Sequence, residues 1–415
     1  MVERTSSAST RQIREANLRA VLHRMWDSEP VTGTDLIDST GLTRATVHGV
    51  CEDLTRRGWI HEVENQREHG GYRMGRPARR YAFQPLAGVV VGVDCGQHRA
   101  RATVTDLRGR TLARHGSSFS GPEHTPEERL DVLSRTILAA LTAASVPPER
   151  VLVVVTGVPA PVDAGGRTAG SVNPFWEQMN PDIAGHLSRE HGWRAIVDND
   201  ANLAAEAERW QGAGRGLDNF VTLLTGERIG AGIVDDGNLL RGARGGAGEM
   251  RFLDLIEGVG SAHGIARLAR DWSQQAVRTD AHPESPLRDL APEGIDAEAV
   301  FTAAEADDPL AVDVVERIGA RFARIVGALA GLLDTERIVL AGAPARSCAP
   351  IRRVIERDLP QYVHPPLPEI VISDFGDEIV SVGAVWRALD HVREHVVEID
   401  LVTGRQGAGV EAEVG

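Results

Sequence analysis

Thr34-Asp35-Leu36-Ile37-Asp38-Ser39-Thr40-Gly41-Leu42-Thr43-Arg44-Ala45-Thr46-Val47-His48-Gly49-Val50 reads as helix, glycine turn, helix. Leu36 and Ile37 give a short helix over 34–39 its inward face. Gly41 supplies the left-handed residue that a tight turn needs. Thr43 has the chemistry of an N-cap, and Leu42, Val47, Val50 and Leu54 lie on one side of a helix running to about Arg57. Ile37 stands where such a pair prefers a small residue, so the two helices are expected to be slightly splayed. Upstream, Ile13, Asn17, Val21 and Leu22 recur at helical spacing and predict a helix over 9–26, ended by Ser28-Glu29-Pro30. Downstream, Trp59–Val63 and Arg80–Phe83 read as strands around a loop tip at Gly70-Gly71.

Three helices followed by a two-stranded wing describe a winged helix-turn-helix, an α+β module over 1–85. The third helix of that module enters the major groove of DNA. Thr43, Arg44, Thr46 and His48 lie near its start, away from the apolar side. Arg44 can read guanine or hold phosphate, and His48 suits a phosphate or water contact. Gly75-Arg76-Pro77 in the wing fits a narrow minor groove, or a plain turn. Charge distribution supports the DNA reading. The whole chain carries −14, yet residues 1–85 hold 13 Arg against 11 acids, leaving −16 for the rest. Between 66 and 80, Arg67, Arg73, Arg76, Arg79 and Arg80 face Glu68 alone, which marks a candidate phosphate-contact patch or a solvated loop.

The chain of 415 residues, 42% hydrophobic, is long enough for two or three domains. Cys51, Cys95 and Cys348 are far apart, which suggests neither a disulfide framework nor a thiolate zinc knuckle. Met1–Arg14 has no apolar stretch, and the longest apolar runs are strand-sized, so a cytoplasmic protein without membrane contact is expected. Lysine is absent, which removes Walker-type and Schiff-base lysine chemistry.

From Ala87 onward short apolar runs alternate with helical stretches, as in an α/β domain. Strands are expected at 89–94, 100–106, 111–117 and 151–155, and a helix over 127–144. Asp94-x-Gly opens a first lobe, and Ile229-Gly230-Ala231-Gly232-Ile233 suggests an equivalent glycine turn between strands in a second.

An ordered series of motifs then resembles the ROK family of repressors and sugar kinases. Gly157-Val158-Pro159-Ala160-Pro161-Val162-Asp163 resembles its strand end, Asn173-Pro174-Phe175-Trp176 its sugar loop, and Asp198-Asn199-Asp200-Ala201-Asn202 its E-N-D-A-N motif. Gly230–Ile233, Gly237, Arg241-Gly242 and Ala247-Gly248-Glu249 follow its signature, and Val339-Leu340-Ala341-Gly342 resembles the strand before its adenosine loop. The likeness runs from about Gly88 to Ala388. It implies an α/β actin-like, ribonuclease-H-like fold of two lobes with a cleft between them over 86–398, and leaves 399–415 as a flexible tail. It implies that Asp200 occupies the place of the family's general base, here vestigial or only a cap on a helix beginning at Ala201. Asn173, Asn199, Glu249 and Glu257 fall at positions that bond sugar hydroxyls, Glu257 by its spacing of ten residues from Arg267.

The departures from the family separate the functions. The first phosphate loop, D-x-G-G-T-K in the family, reads Asp94-Cys95-Gly96-Gln97-His98-Arg99. Side chains stand where backbone must approach phosphate. Glu227 in Thr225-Gly226-Glu227-Arg228 puts a carboxylate where a phosphate oxygen belongs, unless Arg228 neutralises it. Ala343-Pro344 replaces a second glycine in the adenosine loop. Phe252 stands at the family's zinc histidine, and the cysteine cluster is deleted between Phe252 and Glu257, leaving His263 without partners for tetrahedral zinc. The expectation is a regulator, not an enzyme, with no ATP or zinc cofactor. It would bind a double-stranded operator, an inverted repeat, as a homodimer or tetramer, repress carbohydrate-related genes, and sense a sugar or sugar phosphate. An active ROK sugar kinase with an accessory DNA-binding domain is the alternative. A third reading is a dead cleft controlled by a protein partner.

Overall fold

The computed structural model describes residues 3–63, 79–121, 124–168, 173–279, 282–399 and 401, the first eight of these by backbone alone. The loop tip at Gly70-Gly71, the triplet Gly75-Arg76-Pro77, Arg67 and Arg73 lie outside the described residues, as does the tail beyond Leu401.

The N-terminal part contains α1 (Glu3–Trp26), β1 (Val31–Thr32), α2 (Gly33–Thr40), α3 (Arg44–Arg56), β2 (Ile60–Val63) and β3 (Arg80–Phe83). α1 starts six residues earlier than its apolar spacing predicts, because its first turns are polar. α2 begins on a capping box: Thr32 accepts from the Asp35 amide, while Asp35 accepts from the Thr32 amide at 2.7 Å. It ends at Gly41 with φ +70°. Thr43 caps α3 by accepting from the Thr46 amide. Leu36, Val47, Val50 and Leu54 are buried, whereas Ile37 and Leu42 are only partly so. β3 is the middle strand of a small antiparallel sheet in the order β1-β3-β2. The two-residue β1 has no signature of its own in the sequence.

The first lobe contains β4 (Val89–Cys95), β5 (Arg99–Asp106), β6 (Thr111–Ser118), α4 (Pro126–Ala143), β7 (Val151–Val158), α5 (Pro174–Met179), α6 (Ile183–His191), β8 (Ala195–Asn199) and α7 (Asp200–Gln211). Its sheet runs β6-β5-β4-β7-β8; β4, β7 and β8 are parallel and the β4-β5-β6 part antiparallel. The second lobe contains β9 (Phe220–Thr225), β10 (Ile229–Asp235), β11 (Asn238–Leu239), α8 (Ile265–Ala276), α9 (Ala297–Glu305), α10 (Pro309–Leu333), β12 (Arg337–Ala341), α11 (Ala349–Asp358) and β13 (Glu369–Ile372). Its sheet, β11-β10-β9-β12-β13, repeats the first in order and strand direction. This duplicated topology is that of the actin-like fold. α12 (Ile379–Glu394) then returns to the first lobe and packs on β4, β7 and α7.

One expectation is corrected here. Ile229–Ile233 is not a turn but the first five residues of β10, and the turn is Gly226-Glu227-Arg228 before it. The glycines serve close packing: a Cβ on Gly232 would meet the carbonyl oxygen of Ala201 at 2.2 Å. α7 is thereby wedged between the two sheets, with its N-terminus at the lobe boundary.

The N-terminal part joins the first lobe through one continuous apolar core, from Leu22, Trp26 and Phe83 to Leu107, Val385, Val392 and Val396. Trp26 Nε1 donates to the Leu107 carbonyl at 2.7 Å, and Arg108 returns bonds to the carbonyls of Trp26 and Ser28. Ile399 is buried and the Leu401 amide donates to the Arg57 carbonyl, so packed chain continues to Leu401.

Candidate functional site

Asp94, one residue before the end of β4, pairs in register with Gly157 of β7, while Asn199 ends β8 opposite Val158. The carboxyl ends of these three parallel strands make the first wall of the cleft, the usual place for a ligand in such sheets. Asp200 follows at the first residue of α7. The helix cap is therefore Asn199, which accepts from the Asn202 amide at 3.1 Å, and the alternative reading of Asp200 as that cap does not hold. Asp200 still accepts from the Ala201 amide at 2.8 Å.

Burial is the largest influence on Asp200, and the charges of Asp94 and Glu249 add to it, so its carboxyl is pushed up to about 8. Asp94 rises to about 6, mainly by burial, against the pull of Arg99, Arg101 and Arg129. Glu249 keeps an exposed edge but is also raised, by burial, with Arg228 pulling it down. Asp94, Asp200 and Glu249 are thus brought together from both lobes. Of the three, Asp200 keeps its proton at neutral pH and can donate as well as accept, while Asp94 and Glu249 supply acceptors beside it, a set suited to the hydroxyls of a polyol.

The remaining candidates are placed differently. Asn173 caps α5 by accepting from the Phe175 amide at 3.1 Å, so its oxygen is already engaged. Asn199 spends its oxygen on the cap and its Nδ2 on the Ala160 carbonyl at 3.1 Å. Glu257 is exposed, and no described bond ties its carboxylate to Asp200. His263 is half-buried and bridged to Arg228, with its ring pKa lowered by burial.

Sequence reasoning missed Arg129. This fully buried arginine of α4 donates to the carbonyls of Cys95 (2.5 Å) and Gly96 (2.8 Å) in the first phosphate-like loop, and of Met179 (3.0 Å) at the end of α5. One guanidinium therefore fixes two loops of the cleft relative to each other. An arginine on an amphipathic helix gives no signal of this in sequence. Arg270 was missed too, and it corrects the assignment of Arg228. Arg270, not Arg228, neutralises Glu227, through a two-pronged pair at 2.7 and 3.0 Å.

On the N-terminal part, Thr43, Arg44 and His48 are exposed and Thr46 is half-buried, Thr43 at the cap of α3 and the others on its first two turns. His48 Nδ1 lies 3.3 Å from Glu52. Arg79 is exposed and lies 3.6 Å from Glu62 across β2 and β3. Arg76 lies outside the described residues. No group of three or more His, Cys, Asp and Glu among the described residues is arranged to hold a metal ion, and none of the described helices is long and apolar enough to cross a membrane.

The ROK family profile matches residues 90–391. A glucokinase of Halalkalibacterium halodurans is 32% identical over 52% of this chain and 69% of its own. The xylose repressor of Bacillus subtilis is 25% identical over 57% of this chain and 60% of its own. The DNA-binding transcriptional dual regulator NagC of Escherichia coli is 22% identical over 80% of this chain and 81% of its own. Among solved structures, a ROK family transcriptional regulator described as a homologue of the E. coli MLC protein superposes with a TM-score of 0.74 at 22% identity, covering 94% of this chain and 99% of that one. A glucokinase of Streptomyces griseus, solved with glucose and AMPPNP, superposes with a TM-score of 0.62 at 26% identity, covering 73% of this chain and all of that one.

Proposed function

The chain belongs to the ROK family, and from that premise we propose that it is a DNA-binding transcription regulator of the repressor kind whose cleft receives a sugar or sugar phosphate. The N-terminal part acts as a winged helix-turn-helix. α3 enters the major groove with Arg44 and Thr46 toward the bases, and Thr43, His48, Arg79 and Arg76 add backbone or minor-groove contacts. A single helix reads few base pairs, so a homodimer or tetramer on an inverted repeat is the expected assembly. The protein works in the cytoplasm and needs neither zinc nor ATP. Asp200 and Glu249 hold the sugar hydroxyls; Asn173, Asn199 and Glu257 shape the same wall.

The observation that carries this reading over a kinase is the Glu227–Arg270 pair, which fills the turn where a nucleotide phosphate would have to enter. A second reading, an active sugar kinase with an accessory DNA-binding domain, is favoured by Asp200, whose carboxyl titrates near 8 and so retains a base matched to neutral pH. A coupled ADP-release assay over hexoses and their amino derivatives, run beside operator footprinting, separates the two. The regulator reading expects a protected inverted repeat and no sugar-dependent turnover. Turnover in the range of about 1–100 per second typical of kinases, without operator protection, would replace it with the second.

A further inference from the structure

α1 and α12 meet at the seam between the N-terminal part and the first lobe, and this seam is not completely packed. On α1, Arg19, Leu22, His23 and Trp26 follow one another at helical spacing and so share one face. With Ala20, Arg393 in the last turn of α12 and Val396 just beyond it, they line a cavity of about 280 Å³. Leu22, Trp26 and Val396 are buried and make an apolar floor, whereas Arg19, Ala20 and His23 are exposed and make the mouth. The volume is close to the lower end of the roughly 300–1,000 Å³ usual for small-molecule sites.

Arg393 is fixed in place by aromatic rings. Its guanidinium lies 5.1 Å from the ring centre of Trp26 and 5.6 Å from that of Trp386, which itself stacks on Trp210 at 4.9 Å. Its donors outnumber its acceptors. Nη2 lies 3.4 Å from Asp27, whose side chain is 71% exposed, and Nε is buried with no hydrogen-bond partner among the described residues. A buried cationic N–H without an acceptor is costly, and one incoming oxyanion satisfies it. Arg19 forms no ion pair among the described residues, His23 adds ring nitrogens, and none of the described residues lining the cavity is acidic. An apolar floor is thus combined with a basic rim.

We propose that this cavity is a second effector site, separate from the cleft between the lobes, and that it takes a small aromatic carboxylate. Leu22, Trp26 and Val396 match the flat apolar ring of such a ligand, and the planar guanidinium of Arg393 matches its carboxylate, with Arg19 and His23 at the mouth. A neutral polyol has neither the charge nor the apolar face that these groups call for, so the ligand class differs from that of the cleft. The occupant touches α1 of the N-terminal part and the end of α12 at once, and α12 packs along α7. Filling the seam therefore bears on how the N-terminal part is held against the first lobe. The effect on operator binding rests on the regulator reading; the binding itself does not.

The test is calorimetric titration of the full-length protein with three probes: benzoate, benzyl alcohol, which keeps the ring without the charge, and acetate, which keeps the charge without the ring. Benzoate is expected to bind roughly tenfold or more tightly than either of the others. Arg393→Gln removes the charge and should weaken benzoate by roughly tenfold. Ala20→Leu places a good helix former at an exposed position, fills the mouth without touching a charge, and should abolish benzoate binding at an unchanged melting temperature. This second variant decides the matter if loss of Arg393 loosens the seam itself. Benzoate bound no more tightly than acetate or benzyl alcohol, or bound by Ala20→Leu as by wild type, overturns the site. If light scattering shows that Ala20→Leu takes apart a wild-type assembly, the cavity belongs to a contact with a second copy and the site is likewise overturned. Operator affinity is read on the same proteins with saturating benzoate against the same concentration of acetate. A shift of about fivefold or more is expected, and none would overturn the effector role. An operator left unbound in both conditions would sink the regulator reading and leave the benzoate site standing.

Discussion

Arg57 Nη1 donates a 2.7 Å hydrogen bond to the carbonyl of Val397, which ties the C-cap of α3 to the chain leaving α12. Its Nε also lies 3.2 Å from Asp53, and its own carbonyl accepts from the Leu401 amide. α12 in turn packs along α7, whose first residue is Asp200. A physical path thus runs from cleft to α3 through packed helices and a few hydrogen bonds. Arg57→Ala breaks the last link and leaves the Val397 carbonyl without that donor. The expected outcome is a loss of about 1–2 kcal/mol in denaturant unfolding. The larger expectation is a weakened effect of sugar on operator affinity, an effect that is typically about 5–150-fold in coupled systems. An undiminished sugar effect in this variant would exclude the path.

Asp200 gives a pH dependence with a definite sign. Its carboxyl in the folded protein titrates near 8, against an ordinary value of 3.8. Between these limits the folded chain keeps a proton that the unfolded chain has lost, so stability falls as pH rises through that window. Asp200→Asn removes this slope and keeps an oxygen for the Ala201 amide. The variant is expected to match wild type near pH 4 and to gain on it by up to about 1.4 kcal/mol for each pH unit between there and pH 8, read from urea midpoints. It should also lose the sugar response while binding operator normally in the absence of sugar.

Arg44 and Arg79 are expected to fail in different ways. Arg44→Ala should cost about 1–3 kcal/mol of discrimination between operator and mutated operator, because a base contact carries sequence information. Arg79→Ala should weaken specific and random DNA by similar factors and lower the salt slope by about one. Fluorescence anisotropy at several salt concentrations reads both. Equal effects of the two variants on discrimination would remove Arg44 from the base-reading role.

Gly383 of α12 faces the backbone of α7 so closely that a Cβ would meet the Leu203 carbonyl oxygen at 1.8 Å. Neither helix has a flexible side chain there to yield. Gly383→Ala is expected to destabilise the first lobe by about 3 kcal/mol and to displace α7 from α12. A melting temperature unchanged from wild type would show that the helices part without cost.

The sequence by itself determined the local chemistry. Thr43 as an N-cap, Gly41 as a left-handed stop, the strands at Val89 and Val151, and the ordered glycine, asparagine and aspartate motifs all follow from neighbours within a few residues. Periodicity and capping act over one or two turns and can be read from the chain. The three N-terminal helices and the strands of the first lobe came from that information, and the two-lobed domain came from the resemblance of the ordered motifs to the ROK family.

Tertiary structure decided what depends on residues far apart. Arg270 reaches Glu227 across 43 positions, Arg129 reaches Cys95 across 34, and Arg57 reaches Val397 across 340. Each is an arginine on a helix, where composition predicts only a solvated charge. Whether it stays solvated depends on which carbonyl or carboxylate the fold delivers to it. The same reason explains Gly230 and Gly232, read as a turn from their type, yet placed in a strand because α7 presses against it. It also explains Asn173 and Asn199, whose side chains are engaged by helix starts that only the folded backbone creates.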